Sequence, residues 1–352
     1  MTMMFPKDGD LKAGLRKADG LPAEPTADLF TPEPLEASVR EELSKPAPTF
    51  WKEAMERLFK NKGAVVSLAI LIILSVMAIV GPSMNEFTYR EQHIPHSNLP
   101  PKISGLEWLG FNGKDVTGTD VYAERGVETN YWFGTDEFGR DVWTRVWKGT
   151  QISLFIALVA AFLDLLIGVV YGGVSAYYGG RIDNVMQRII EILTGIPNLI
   201  VIILFILILE PGIRSIILAM IITGWVGMAR VVRGQMLQLK GQEFVLASRT
   251  LGASDARLLR KHLLPNVMGP IIVTVMFTIP TAIFFEAFLS FIGLGLQAPL
   301  ASLGVLIEDG YDAIRSFPYK LLIPAVVISL VMISFNLLAD GLRDALDPKM
   351  RK

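Results

Sequence analysis

Six long apolar runs, separated by polar segments, dominate the pattern of this sequence. Most of them are long enough to cross the ~30 Å of hydrocarbon in a bilayer as helices that rise about 1.5 Å per residue. The fourth run is short and needs residues 227–232 to complete it. The pattern predicts an all-α polytopic membrane protein with six transmembrane helices. The runs occupy residues 63–81, 152–177, 189–209, 213–226, 267–289 and 321–339.

Composition agrees with a membrane protein rather than a soluble domain. Of the 352 residues, 51% are hydrophobic, and the mean hydropathy is +0.45. The net charge of −1 gives no sign of a nucleic-acid partner. The chain has no cysteine, which excludes disulfides and thiolate chemistry.

The distribution of Lys and Arg predicts how the chain lies in the membrane. If both termini are cytoplasmic, the cytoplasmic segments after residue 50 hold 17 Lys and Arg residues, and the longer outer segments hold 10. Cytoplasmic segments carry the excess of positive charge in membrane proteins. We therefore expect a multi-pass protein of the cell membrane with both termini in the cytoplasm.

The segments outside the apolar runs predict the remaining organisation. Residues 1–50 contain seven prolines and mixed charge, which is typical of a disordered tail. Residues 51–62 predict an amphipathic helix, which either lies at the membrane interface or only supplies the positive flank of the first span. The expected boundaries are 1–50 for the cytoplasmic tail, 51–62 for the interfacial helix, 63–81 for the first span, 82–151 for the extracytoplasmic loop, 152–340 for a five-span core and 341–352 for the C-terminal cytoplasmic tail.

The end of the outer loop carries a turn and a candidate helix cap. Residues 133–141 read Phe-Gly-Thr-Asp-Glu-Phe-Gly-Arg-Asp. Thr135 or Asp136 is expected to cap a short helix that leads into the second span. Arg140 is expected to pair with a carboxylate, and direct contact of this turn with a ligand is the alternative.

The cytoplasmic loop 241–266 predicts two short helices hinged at Gly252, because a helix end favours a residue that tolerates positive φ. Ser254 or Asp255 is expected to cap the second helix, and Pro265 is expected to end it. The loop is basic, and it either offers a protruding surface to a partner or is an ordinary connector. Helical spacing places these residues of the first helix, 242–251, on one face: Phe244, Ala247, Ser248 and Leu251.

Ionisable residues within apolar runs are functional candidates by default. Asp164 lies deepest, and it either lines a pathway or hydrogen-bonds a neighbouring helix. Glu191 and Glu286 lie near the ends of their runs and are interpreted as structural. The small residues at Gly168, Gly172 and Gly173 predict close helix packing.

Enzyme chemistry is not expected from this chain. It contains no Walker phosphate loop, so we do not expect it to hydrolyse ATP or to need a cofactor. His93 and His96 are the only close pair of metal-ligand type, and a metal site there is not expected because Pro95 separates them and no further His or Cys is near.

Several motifs together resemble one family. The spacing Ala247-Ser248-x3-Gly252-x9-His262-x-Leu264-Pro265 is similar to the coupling loop of ABC-importer permeases, whose acidic position falls here at Leu246. Further pieces resemble the peptide and nickel subgroup and are closest to the C-type membrane subunits of oligopeptide importers. These pieces are found at 134–141, 178–183, 229–235, 286–295 and 340–348, within a resemblance that covers about residues 50–352.

The resemblance implies the type I importer permease fold and a set of partners. These are a second homologous permease, two ABC ATPase subunits and an extracytoplasmic peptide-binding protein. The function it implies is a membrane path for oligopeptides that is coupled to ATP hydrolysis on the partners. The residues expected to contact the ATPase are Glu243, Phe244, Ala247, Ser248, Gly252, Ala253, Leu264 and Pro265.

Two alternatives remain open from the sequence. One is a secondary transporter or channel in which Asp164 relays an ion. The other is a permease of the same family that carries dipeptides or nickel instead of oligopeptides, because such permeases share these motifs.

Overall fold

The computed structural model describes residues 50–347, and these are organised as α-helices joined by turns and short 3₁₀ segments. The predicted tail at 1–50 lies outside the described residues except for Phe50, and so do residues 348–352 of the predicted C-terminal tail. In chain order the helices are α1 (Phe50–Lys60), α2 (Lys62–Val80), α3 (Val121–Arg125), α4 (Val142–Tyr178), α5 (Gly180–Gly195), α6 (Asn198–Leu209), α7 (Ile213–Lys240), α8 (Glu243–Thr250), α9 (Asp255–Arg257), α10 (Leu264–Phe291), α11 (Leu303–Asp312) and α12 (Tyr319–Leu346).

Five segments of the described chain are long and apolar enough to cross a membrane as single helices. They are α2 with the turn after it, α4, α7, the continuous stretch from α9 through α10, and α12. The pair formed by α5 and α6 passes the same test together and would make a sixth span. The prediction of an all-helical protein is therefore confirmed for the described residues, with five or six candidate membrane spans.

The third apolar run, 189–209, does not form the single helix that was predicted. It is divided between the end of α5 and the whole of α6, and these two helices meet at an angle of 80°. Ile196, between them, is extended at φ −93° and ψ 129°. The physical reason is Pro197, because a proline ring disfavours helical backbone at the preceding residue.

Helix α4 begins ahead of the second apolar run, 152–177, and its cap is not one of the two expected residues. It starts at Val142, and the Asp141 side chain accepts a hydrogen bond from the Thr144 backbone N at 2.8 Å. The expected caps are engaged elsewhere, since the Thr135 hydroxyl accepts from Leu99 N at 2.8 Å and Asp136 pairs with Arg140 at 2.6 Å. The carboxylate pairing of Arg140 is confirmed, and the helical stretch expected before the second span is present as the first part of α4. The expected caps, Thr135 and Asp136, are wrong.

The region between α2 and α4, which is predicted to be extracytoplasmic and which we call the outer region, has a small core of its own. Leu99, Val121, Tyr122, Val127 and Tyr131 are buried against one another. The Tyr122 hydroxyl donates to the Pro100 carbonyl at 2.8 Å, which closes this core around α3. The long outer loop is therefore a packed element and not a simple connection.

Helix α4 packs closely on α7 through two of the predicted glycines. A Cβ on Gly168 would lie 2.6 Å from the Cβ of Met228, and one on Gly172 would lie 2.3 Å from the Ala229 carbonyl oxygen. Gly173 is different, because its nearest neighbours, on Met236, would be 3.6 Å away. Small residues let helix backbones approach in this way within a membrane.

Helix α1 lies against the first part of α2 and the last part of α12. Leu58 is buried in a cluster with Ala64, Leu338 and Ala345, while Phe59 stays exposed on the other side of α1. This two-sided pattern is what an interfacial helix requires. The position of α1 at a membrane surface stays a prediction.

The contrast between two neighbouring glycines gives a direct test of the α4–α7 contact. We expect Gly172→Ala to destabilise the protein by about 1–3 kcal/mol, because its methyl group overlaps a backbone carbonyl that cannot rotate away. Gly173→Ala is the matched control and should change stability by less than about 0.5 kcal/mol. The measurement is thermal unfolding of the purified membrane protein in detergent, and equal effects from the two variants would contradict the packing.

Candidate coupling segment and membrane cavity

The segment between α7 and α10 forms the expected helix–glycine–helix arrangement. Helix α8 covers Glu243–Thr250, and the chain reverses at Gly252, whose φ is +80°. The Ala253 N–H donates to the Ser248 carbonyl at 3.1 Å, which closes the helix end. A left-handed residue at this place is the usual way to satisfy the last carbonyls of a helix.

The second half of this segment departs from the prediction in two ways. Ser254 stands at the start of α9, but its side chain makes no capping hydrogen bond. Pro265 does not end the helix, because a π-helical turn over Leu258–Leu263 leads directly into α10. Pro265 then falls in the first turn of α10, where a missing backbone N–H has little cost.

The segment has one apolar face against the protein and another that is free in this chain. Val245, Leu258 and Leu263 are buried, whereas Phe244, Leu246 and Leu251 are 42%, 48% and 88% exposed. Of the other residues expected at the ATPase contact, Ser248, Ala253 and Leu264 are half-buried, and Glu243, Ala247, Gly252 and Pro265 are exposed. We call residues 243–265 the coupling segment.

The coupling segment is tied to the end of α4. The Tyr177 hydroxyl donates to the Asp255 carboxylate at 2.5 Å, and the Lys240 ammonium donates to the Tyr177 carbonyl at 2.5 Å. The Arg249 guanidinium lies 5.9 Å from the centre of the Tyr177 ring. Sequence reasoning missed Tyr177, and its only signal was its place at the end of an apolar run.

A second tie joins two of the motifs that carried the family resemblance. Arg233 on α7 contacts Asp183 on α5 through two hydrogen bonds, at 2.7 and 2.6 Å. The Ser175 hydroxyl on α4 donates to the same carboxylate at 2.5 Å. Three helices are thereby held together next to the coupling segment.

A cavity of about 320 Å³ lies among α4, α6, α7 and α10. Phe277 and Phe285 contribute aromatic surface to its wall. The Thr223 hydroxyl donates to the Asn198 side-chain oxygen across it. The polar residues that line the cavity are Asp164, Asn198, Thr223, Thr274, Thr278 and Thr281.

Asp164 carries the only charge among the residues that line this cavity. Its side chain is 5% exposed, and its Oδ1 has no hydrogen-bond partner among the described residues. Gly224 on α7 leaves room for it, because a Cβ there would lie 2.5 Å from Oδ2. The sequence left two roles open for Asp164. A hydrogen bond to a neighbouring helix is not found among the described residues. Asp164 does line a cavity, which fits the other role.

The other intramembrane acids are placed differently from Asp164. Glu286 is fully buried, and it accepts hydrogen bonds from Ser153 at 2.8 Å and from Ser290 at 2.9 Å. Glu191 forms an exposed ion pair with Arg188 at 2.6 Å. Both acids are therefore partnered within the protein, as the sequence reading expected.

The described residues contain no cluster of three or more His, Cys, Asp or Glu that could hold a metal ion. His93 contacts Glu91 at 3.1 Å and His96 contacts Tyr131 at 2.8 Å. The two histidines therefore belong to the packing of the outer region.

Comparison with known proteins assigns the class of the chain. Residues 164–352 match the family described as the binding-protein-dependent transport system inner membrane component. Residues 49–101 match the N-terminal transmembrane domain of oligopeptide transport permease C. The chain belongs to this family of transporter membrane subunits, in which the ATPase is a separate subunit.

Two relatives from Bacillus subtilis (strain 168) are similar over most of their length. The dipeptide transport system permease protein DppC is 49% identical and covers 88% of this chain and 89% of that protein. The oligopeptide transport system permease protein OppC is 46% identical, over 92% of this chain and 98% of that protein. Among solved structures, a chain of the MetNI methionine ABC transporter aligns with 58% of this chain and 96% of its own length, at 20% identity and a TM-score of 0.48.

The Asp183–Arg233 contact can be tested by a double-mutant cycle. We expect Asp183→Asn and Arg233→Gln, made singly and together, to show a coupling energy of about 1 kcal/mol, because the pair is bidentate but partly exposed. The Arg188–Glu191 pair is the control, since both side chains are largely exposed and should show no measurable coupling. The cycles are measured by unfolding in detergent, and additive effects at Asp183 and Arg233 would contradict the tie.

Proposed function

We propose that this chain is one of two permease subunits of an ATP-driven importer for short peptides, oligopeptides in particular. Its partners are a second permease, two ATPase subunits and an extracytoplasmic peptide-binding protein. The chain resides in the cell membrane with both termini in the cytoplasm. The relatives named above support the substrate class, because they belong to dipeptide and oligopeptide systems.

The observation that carries the proposal is the two-sided coupling segment. Phe244, Leu246 and Leu251 expose apolar surface on a short basic element, although Val245 and Leu258 are buried against the chain's own core. Exposed apolar groups on a protruding element favour a protein partner. The ATPase subunits are that partner in this proposal.

The contacts of the coupling segment suggest how motion passes into the membrane. A push on the coupling segment reaches α4 through the Asp255–Tyr177 hydrogen bond. Lys240, the last residue of α7, holds the carbonyls at the same end of α4. Helix α4 also carries Asp164 on the cavity wall. Movement of the ATPases would therefore move one wall of the cavity.

The secondary-transporter alternative finds less support. A proton or ion relay needs a second group to receive the ion, and Asp164 is the only charged residue among those that line the cavity. Nickel is disfavoured as cargo for this cavity, because its lining has one carboxylate and no His or Cys. Dipeptides and oligopeptides share the same peptide chemistry and differ here only in length.

Cysteine labelling in intact cells tests the proposed orientation. The chain has no native cysteine, so each introduced thiol is unique in it. An impermeant thiol reagent should label Asn112→Cys in the outer region and leave Ser254→Cys in the coupling segment unlabelled until the cells are broken open. The reverse labelling pattern would rule out this orientation.

Substitutions in the coupling segment test its contact with the ATPases. We expect Gly252→Val to reduce co-purification of the ATPase subunits and peptide uptake, because a β-branched residue at positive φ costs about 1–3 kcal/mol. Space is not the cause, since a Cβ at Gly252 would meet no atom within 4 Å. Gly252→Asn is the matched control and should be milder, because Asn tolerates left-handed backbone.

Two charge substitutions complete this test. Ala247→Glu should also weaken the ATPase contact by placing a carboxylate in the interface, whereas Leu246→Glu should be mild because related permeases carry an acid at that position. All variants should still insert in the membrane. Wild-type ATPase binding and uptake from both Gly252→Val and Ala247→Glu would show that the segment is only a connector.

A further inference from the structure

The cavity beside Asp164 has a chemistry that identifies the group it would bind. Asp164 is only 5% exposed, and its Oδ1 has no hydrogen-bond partner in the described chain. No Lys or Arg of the described residues forms an ion pair with it. A buried acid without a partner is costly unless a ligand, a proton or an ion offsets it.

The position of Asp164 makes it accessible from the transport path in the proposed function. It lies 14 residues before the end of α4 at Tyr178, which is about 21 Å along the helix axis and close to the middle of a bilayer. The carboxylate packs against Gly224 of α7 on one side, and Asp164 is also one of the residues that line the cavity of about 320 Å³. A ligand passing through the cavity would meet it.

The neighbouring hydroxyl groups add hydrogen-bond acceptors. Thr274, Thr278 and Thr281 of α10 each donate to a carbonyl one turn earlier in their own helix, at 2.8, 3.0 and 2.9 Å. Each hydroxyl donor is thereby used, and its oxygen lone pairs remain as acceptors. The three residues lie at helical spacing on the cavity side of α10.

We propose that the Asp164 cavity binds a primary ammonium group. An ammonium has three donors and no acceptor, which matches one carboxylate and hydroxyl oxygens that line the same cavity. A divalent metal ion fits less well, because the lining offers a single carboxylate to balance its two charges. The free N-terminus of a peptide carries this group at neutral pH, and so does a lysine side chain.

The peptide as the source of the ammonium rests on the proposed function. In this account Asp164 holds the charged end of the cargo at the middle of the membrane, and Gly224 keeps the space for the carboxylate. The same carboxylate would repel a free anion from the path. Selection for a cation would then occur inside the membrane, in addition to any selection by the binding protein.

Thiol reagents of different charge test the ammonium site directly. Thr281→Cys places a unique thiol of this chain on the cavity wall, in the complete complex with partner cysteines replaced and without binding protein. The probes are 2-aminoethyl methanethiosulfonate, which is itself a primary ammonium, 2-sulfonatoethyl methanethiosulfonate and neutral methyl methanethiosulfonate. The measured quantity is the ratio of the cationic to the anionic modification rate, with the neutral rate as a check on access.

Removal of the carboxylate should lower this ratio at least about fivefold, since a unit charge within the low-dielectric membrane acts on both reagents in opposite directions. Asp164→Asn is the variant, and Asp164→Glu should retain most of the ratio because it keeps the charge. Glu210→Gln removes an acid at the exposed end of α6, away from the cavity lining, and should leave the ratio within about twofold. An unchanged ratio in Asp164→Asn would overturn the ammonium site.

Protection by peptides distinguishes the two sources of the ammonium and separates this inference from the proposed function. Trialanine should slow modification of Thr281→Cys, and N-acetyl-trialanine should not, if the N-terminus is bound. Protection by N-acetyl-Ala-Lys-Ala would instead assign the lysine side chain. If the reagent ratio falls in Asp164→Asn but no peptide protects, the ammonium site stands and the peptide cargo is contradicted.

Discussion

Close packing of α4 against α7 determines where the cavity and the coupling segment lie. Gly168 and Gly172 let the two helices approach so closely that a single methyl group would overlap a neighbouring side chain or carbonyl. In a membrane this approach is driven by van der Waals packing, because lipid is as apolar as the side chains. The same pairing places Gly224 against the Asp164 carboxylate and brings Lys240 under the end of α4. One helix contact thereby positions both the cavity and the coupling segment.

In the proposed function, the coupling segment and the cavity are connected through α4. Tyr177 and Asp183 fix the C-terminal end of α4 and the start of α5 to α7 and to the coupling segment. Each hydrogen bond contributes only about 1 kcal/mol or somewhat more when charged, so the connection depends on several of them acting with the apolar cluster around Val245 and Leu258. Such a cluster is close-packed and transmits displacement better than a flexible loop does. In the family of this chain the ATPase is a separate subunit, and in the proposed function this connection would transmit its motion.

Local signals in the sequence predicted much of the fold. Apolar run length located the membrane helices, and Gly252 marked the reversal in the coupling segment because positive φ is a local requirement. The predictions failed at two prolines, where the effect on the helix depended on the residues around them. Pro197 interrupts an apolar run that hydropathy alone treats as one helix. Pro265 follows a π turn, which no local sequence pattern predicts, and the helix continues through it. The partners of Asp183 and Tyr177 lie 50 and 78 residues away, so only the three-dimensional arrangement reveals them. For the same reason the sequence could flag Asp164 as unusual but could not tell whether it had a partner.

In the proposed function, this chain forms a peptide path driven by ATP hydrolysis on partner subunits. Uptake of a labelled tripeptide can be measured in proteoliposomes that contain the complete complex and its binding protein. We expect uptake that requires ATP on the ATPase side and is unaffected by a protonophore. Uptake that proceeds without ATP and collapses when the proton gradient is dissipated would contradict it.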